Sequence, residues 1–273
     1  MTALRYRNNE QNYSMSARIR RTLKRTFVGD LIVSRRFHAY GVGIERTGTT
    51  FVASLLQQDY RSYHEAEWYF LANVFTRQDS LSVTSIRAWL RERDRTLRLE
   101  FEASHLLGPF VDHLVNLFPE AKFILTIRHP RPWLQSVTNW AINYDVLRPD
   151  GPWKPVMDRY YKTPSSDAIH PHLWKEHGLY TLDGYLNGWS KHNQKVLDAV
   201  PDNRLLVIRT RDLSNRLDEI SSFLDLQDGL SSLHRTNRNR NQSKRDFVGD
   251  IDKAVLEEKT ATYCGDLIDR FDL

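Results

Sequence analysis

Residues 40–51 read YGVGIERTGTTF. The stretch has the pattern of a strand, a glycine-bounded turn and the start of a helix. Gly41, Gly43 and Gly48 let the backbone approach a ligand closely. Thr47, Thr49 and Thr50 place hydroxyls where the helix begins. The N–H groups at a helix N-terminus lack intrahelical partners and attract anions. Gly43 and Gly48 keep the spacing of the nucleotide-binding loop GxxxxGK[ST], but Thr49 stands where that loop has Lys. The cation sits earlier, at Arg46. A triphosphate needs the Lys at its β/γ end. The loop therefore suits a phosphate group other than that of ATP or GTP.

A second stretch, residues 118–140, reads FPEAKFILTIRHPRPWLQSVTNW. Phe123 to Ile127 is a short apolar, β-rich run and predicts a buried strand. It ends on Arg128, and Pro130 and Pro132 stop it. A helix is predicted from about Trp133. Arg128, at the strand end, and Ser136, on the helix's second turn, can point into one crevice. Arg offers phosphate a fork-shaped contact and Ser a neutral hydrogen bond. A metal-dependent NTPase would end this strand in Asp to hold Mg²⁺. A third stretch, residues 204–226, reads RLLVIRTRDLSNRLDEISSFLDL, a strand, a turn and a helix.

Together these stretches resemble the sulfotransferases that use 3′-phosphoadenosine-5′-phosphosulfate (PAPS), over roughly residues 38–272. The family's 5′-phosphosulfate loop reads approximately G-x-[PG]-[KR]-[ST]-G-[TS]-[TS]. Arg46, Thr47, Gly48, Thr49 and Thr50 fit it, one residue late because of Ile44-Glu45. The 3′-phosphate motif is a strand, R-[DN]-P, and a helix with Ser eight residues after the Arg. Arg128, Pro130 and Ser136 match it, with His129 at the Asp/Asn position. The family's R-Y-E-D-L turn is Arg209-Thr210-Arg211-Asp212-Leu213, so Thr210 replaces Tyr and Arg211 replaces Glu. RNRNQSKR at 238–245 resembles the loop that closes over the 3′-phosphate, with Ser243, Lys244 and Arg245 as its ligands. The resemblance implies an α/β, P-loop-type fold with one central parallel sheet flanked by helices. It also implies PAPS as donor, adenosine 3′,5′-bisphosphate (PAP) as product, and no metal.

Sulfuryl transfer needs a base for the acceptor's proton and cations for the leaving phosphate. Arg46 and the amides of Thr49 and Thr50 supply the cations' role, and Arg46 acts electrostatically because its guanidinium stays charged. The base is one of several groups. Glu65 and then Glu67 follow the second strand, in His64-Glu65-Ala66-Glu67. Glu102 and His105 follow the third, and His64 is a further choice. Any of these acids could instead be a cap or an ion-pair partner, as Glu102 with a nearby cation. The expected acceptor is a hydroxyl, less readily an amine, of a small molecule, lipid or carbohydrate. Two other readings are a P-loop kinase or NTPase, and a catalytically inactive nucleotide-binding protein on the same fold.

The chain has 273 residues, a net charge of +5 and one cysteine, Cys264. One α/β domain over 38–273 is the economical reading. A lone cysteine fits a reducing compartment, and the absence of a long apolar run or signal sequence fits a cytoplasmic protein. Residues 1–37 form a basic extension with nine Arg/Lys against two acids. It reads as a peripheral membrane contact or, preferably, as a solvated extension on the domain. No nucleic-acid reader motif accompanies the charge. The three histidines His170, His172 and His177 lack the partner spacing of a metal site.

The predicted order is strand 38–44, helix 49–58, strand 61–64, helices across 66–93, strand 96–102 and helix 106–117. Strand 122–127, helix 133–143, an irregular segment 144–178 and helix 179–199 follow. Strand 204–208, helix 215–225 and helix 250–271 complete it. Strands alternating with helices predict a parallel sheet covered on both faces, with ligands beyond the strands' carboxyl ends. The irregular segment, rich in Pro, Trp and Tyr, is read as a lid or acceptor-binding wall. The sequence leaves the oligomeric state open.

Overall fold

A parallel five-stranded sheet organises the chain. Its strands are Ala39–Gly41 (β1), Ser62–His64 (β2), Phe101–Ala103 (β3), Lys122–Ile127 (β4) and Leu205–Arg209 (β5). They stand in the order β2-β3-β1-β4-β5, every neighbouring pair parallel. The computed structural model describes residues 34–164, 168–226, 230 and 245–273. Most of the basic arm, and the expected phosphate ligands Ser243 and Lys244, lie outside the described residues. Where the arm meets the domain, Arg35 donates to Asp94 (2.6 and 2.9 Å) and Arg36 to Glu100 (3.1 Å).

Strand β4 shows why the sheet is buried on both faces. Phe123, Leu125 and Ile127 alternate onto one core, and Ile124 joins Ile208 and Leu206 in the other. Each such side chain, fully buried, contributes about 1.5–3 kcal/mol of transfer free energy. The larger core is aromatic, with Trp133, Trp174, Trp189, Tyr161 and Tyr185 fully buried.

Helices cover both faces: Thr49–Leu56 (α1), Trp68–Arg77 (α2), Val83–Leu97 (α3), Val111–Leu117 (α4) and Pro130–Asn143 (α5) in the first half. Lys154–Tyr161 (α6), His172–Glu176 (α7), Leu182–Ala199 (α8), Leu217–Phe223 (α9) and Lys253–Phe271 (α10) follow. Among the described residues no helix is long and apolar enough to cross a membrane.

Several boundaries differ from the sequence reading. Strand 38–44 shrinks to β1, because beyond Gly41 the chain leaves the sheet to form the loop. The strand read at 96–102 is really the end of α3, a left-handed cap at Arg98 (φ 49°), and then β3. Helix α5 starts at Pro130, three residues early. Pro suits the first helical turn, where its missing N–H has no partner to lose, and the His129 side chain caps the turn by accepting from the Arg131 amide at 3.2 Å. The segment 144–178 is not structureless, since it contains α6 and α7. Their five to eight residues are too short to show a helical apolar period against so many prolines.

The strand order fixes the site. The chain leaves β1 to one side for β2 and β3, then crosses to the other side for β4 and β5. The reversal lies at β1, and ligands in such sheets sit beyond the carboxyl end of that strand. The loop after β1 is flanked there by His105, beyond β3, and Arg128, beyond β4.

Candidate active site

The loop from Val42 to Gly48 is held from every side. Thr47 Oγ1 donates to the Ile44 carbonyl at 2.6 Å and lies 2.8 Å from Thr126 Oγ1 on β4. Thr210 Oγ1 bridges the Thr47 and Ile127 carbonyls at 2.6 and 3.1 Å. Trp133 donates its indole N–H to the Glu45 carbonyl (2.9 Å), and His192 Nε2 donates to Val42 O (2.8 Å). Gly43 permits this closeness: a Cβ there would lie 2.1 Å from Thr126 Oγ1. Arg46 (φ 66°) and Gly48 (φ 107°) turn the chain through left-handed geometry. Gly48 caps α1 without a side-chain bond, so the helix's first amides face the mouth of the loop.

Two guanidinium groups meet at that mouth. Arg46 Nε donates to Ser136 Oγ at 3.2 Å, and Arg128 Nη1 donates to the Arg46 carbonyl at 3.3 Å. Burial and then the neighbouring Arg46 charge push the Arg128 pKa below its ordinary value. Burial lowers that of Arg46 as well, against the pull of Tyr144 and Glu45. Both remain cations, held close together where an anion would relieve them. Ser136 lies on α5, whose next turn carries Asn139. Asn139 grips the backbone of Arg245 through both its amide atoms at 2.8 Å. The Arg245 side chain itself turns to His177 (2.9 Å).

The candidate bases separate into different environments. Glu65, in left-handed geometry (φ 56°), accepts from His105 Nδ1 at 3.1 Å, and its side chain stays 23% exposed. Burial raises the Glu65 pKa, but the His64 charge and the His105 bond outweigh it, so the carboxyl is held below its ordinary range. Burial likewise opposes protonation of His105, but the Glu65 bond and the charges of Glu45 and Glu65 win and raise it. The two form an ion pair with the carboxylate toward solvent and the imidazolium behind it. Glu102 is occupied. Both its oxygens take N–H groups of the buried Arg93, one at 2.6 Å, and Arg93 also donates to Ala66 O. Glu67 caps α2 in left-handed geometry (φ 49°), with an oxygen 4.0 Å from Arg93 Nε. His64 Nε2 sits 3.2 and 3.1 Å from the hydroxyls of Thr49 and Thr50. Burial, chiefly, lowers its pKa.

The sulfotransferase-domain family matches residues 40–228, well over half of the chain. The chain belongs to the sulfotransferase family. Its structure is similar to that of sulfotransferase STF9 from Mycobacterium avium, at 14% identity, over 89% of this chain and 79% of that one, with a TM-score of 0.53. It is also similar to a sulfotransferase from Alicyclobacillus acidocaldarius, at 16% identity over 86% and 93% of the two chains, with a TM-score of 0.46. The likeness to the Mycobacterium avium protein concerns the fold alone. No curated protein matches the sequence.

The structure thus brings together Arg46, Thr47, Gly48, Thr49, Thr50, Arg128 and Ser136 at one strand-end crevice. Glu65 and His105 form its second wall, and Glu102 faces away into Arg93. Sequence reasoning missed Glu45 and Tyr161, whose side chains bond each other beneath the loop. It also missed the clamp made by Thr210 and the anchor made by His192, both joining segments distant in sequence. The adjacent pair Tyr160-Tyr161 was the one visible signal. Tyr160 donates to the His105 carbonyl (3.1 Å) as Tyr161 reaches the loop. Trp153 stacks on Trp68 (4.5 Å, 11°) and lies 5.5 Å from His105, so the 144–178 segment borders the Glu65–His105 pair.

Proposed function

We propose that this sulfotransferase moves a sulfuryl group from PAPS to a hydroxyl of a small-molecule, lipid or carbohydrate acceptor. The observation that carries the reading is that two cationic subsites lie side by side at the carboxyl end of β1: Arg46 with the α1 amides, and Arg128 with Ser136. A nucleotide with a phosphate at its 3′ position and a phosphosulfate at its 5′ position has two anionic groups for such a pair of subsites. The loop and α1 take the 5′ group, and Arg128 with Ser136 takes the 3′ group. The bound donor supplies an activated sulfuryl group and a phosphate leaving group.

The chain's own residues do the rest. Glu65 accepts the acceptor's proton as the oxygen attacks, and His105 fixes the carboxylate's direction and keeps it ionised. Arg46 and the α1 amides stabilise the charge that grows on the leaving phosphate. The aromatic groups of Trp68 and Trp153 shield the acceptor side from water. A kinase reading fits less well. Thr49 replaces the loop Lys, its hydroxyl is turned to His64, and β4 runs into Arg128 where Mg²⁺ would need Asp.

The test is transfer of ³⁵S from labelled PAPS across a panel of phenols, sterols, sugars and long-chain alcohols. Label should appear in an acceptor with the wild type and fall about 10²–10⁴-fold with Glu65→Gln, the usual range for losing a general base. PAP binding should stay intact in that variant. Equal turnover in Glu65→Gln would contradict the assignment of the base.

A further inference from the structure

The family-like loop of this chain carries an acid. Glu45 lies between the loop's first glycine and Arg46, and its side chain is buried beneath the loop (5% exposed). Its Oε1 accepts from Tyr161, but its Oε2 is buried with no hydrogen-bond partner. Among the described residues no Arg or Lys forms an ion pair with it. The groups that face it are Tyr161 and Tyr160 from α6, Tyr185 from α8, His105 beyond β3, Glu65 beyond β2, and its neighbour Arg46. An ionised carboxylate with an orphaned oxygen in such a place carries a large desolvation cost, and a neutral carboxyl a much smaller one.

We propose that Glu45 takes up a proton when the anionic donor binds, and that its neutral form is the one that holds the donor. The inference rests on the donor site proposed above. An ionised Glu45 places negative charge beside the loop that must receive a phosphosulfate, and it cancels part of the Arg46 field. Protonation forms an O–H bond on the carboxyl, with the proton drawn from solvent, and removes that charge. Donor binding and Glu45 protonation therefore assist each other by the same factor.

The free protein is poised for this. Burial raises the Glu45 pKa, and the His105 charge and the Tyr161 bond only partly offset the rise. The sign follows: below that raised pKa the carboxyl is neutral and donor affinity is full. As pH rises through it, affinity falls toward the lower value of the ionised form, by about tenfold for one charge at partly screened distance.

The experiment is titration calorimetry of PAP into wild type, Glu45→Gln and Tyr161→Phe, in buffers of different ionisation enthalpy, from about pH 4.5, the ordinary carboxyl range, to about pH 9. The ligand's own phosphates titrate equally in all three proteins, so differences report the protein. Wild type should take up roughly half a proton or more beyond Glu45→Gln somewhere in this range. The ratio of wild-type to Glu45→Gln affinity should fall as pH rises. Tyr161→Phe removes a bond that favours the ion, so its uptake should move to higher pH. Binding by wild type with the same proton uptake and the same pH profile as Glu45→Gln would overturn the inference alone. Absence of PAP binding by wild type would overturn the donor reading first, and this inference with it.

Discussion

Glu65 follows β2, and Glu102 lies within β3 and not after it as the sequence suggested; local sequence gives no reason to treat the two acids differently. What separates them is a third residue. Arg93, one turn from the end of α3, reaches Glu102 with two N–H groups and leaves Glu65 to His105. Glu102 therefore holds structure, and Glu65 faces the crevice. Truncating one partner of a buried pair strands the other charge, at about 3–5 kcal/mol. Glu102→Ala should lower stability to urea by that amount, yet keep its turnover at temperatures where it is folded. A stable variant with lost turnover would reverse the two roles. At this scale the sequence made the candidates visible but not their order. Which acid meets a cation depends on contacts between α3, β2 and β3 that no local pattern records.

The loop and its helix were the most legible element, because their chemistry is contiguous. Gly43, Arg46, Gly48 and the two threonines that open α1 lie within eight residues. Their backbone demands can be read directly: Gly48 adopts φ 107°, and Gly43 leaves no room for a Cβ against β4. Gly43→Ala should push the loop off Thr126 and Thr47. We expect about 1–3 kcal/mol of destabilisation from overpacking, with a larger relative loss in PAP affinity than in melting temperature. A variant with wild-type affinity would show that the loop tolerates a shift. Less legible were α6 and α7, short helices hidden in a proline-rich stretch. Their role appears only in contacts: Tyr160 and Tyr161 of α6 reach the His105 carbonyl and the loop. Thr210 shows the same limit. In sequence it shows only as a departure from the family's Tyr, but it ties the loop to the end of β4.

Across the whole molecule, the alternation of strands and helices announced a parallel sheet, and the strand order placed its reversal at β1. That order turns three separated motifs into one site: the loop after β1, His105 beyond β3 and Arg128 beyond β4. We propose that this site is built for a 3′-phosphorylated nucleotide and not for a triphosphate. Calorimetric titration with PAP, beside ATP·Mg²⁺, on wild type and Arg128→Ala tests it most directly. PAP should bind wild type and ATP·Mg²⁺ should not. Arg128→Ala should lose about 1.5–3 kcal/mol, the worth of a charge-assisted hydrogen bond, or roughly 10–150-fold in affinity. Binding of ATP·Mg²⁺ in place of PAP, or PAP affinity untouched by Arg128→Ala, would contradict it.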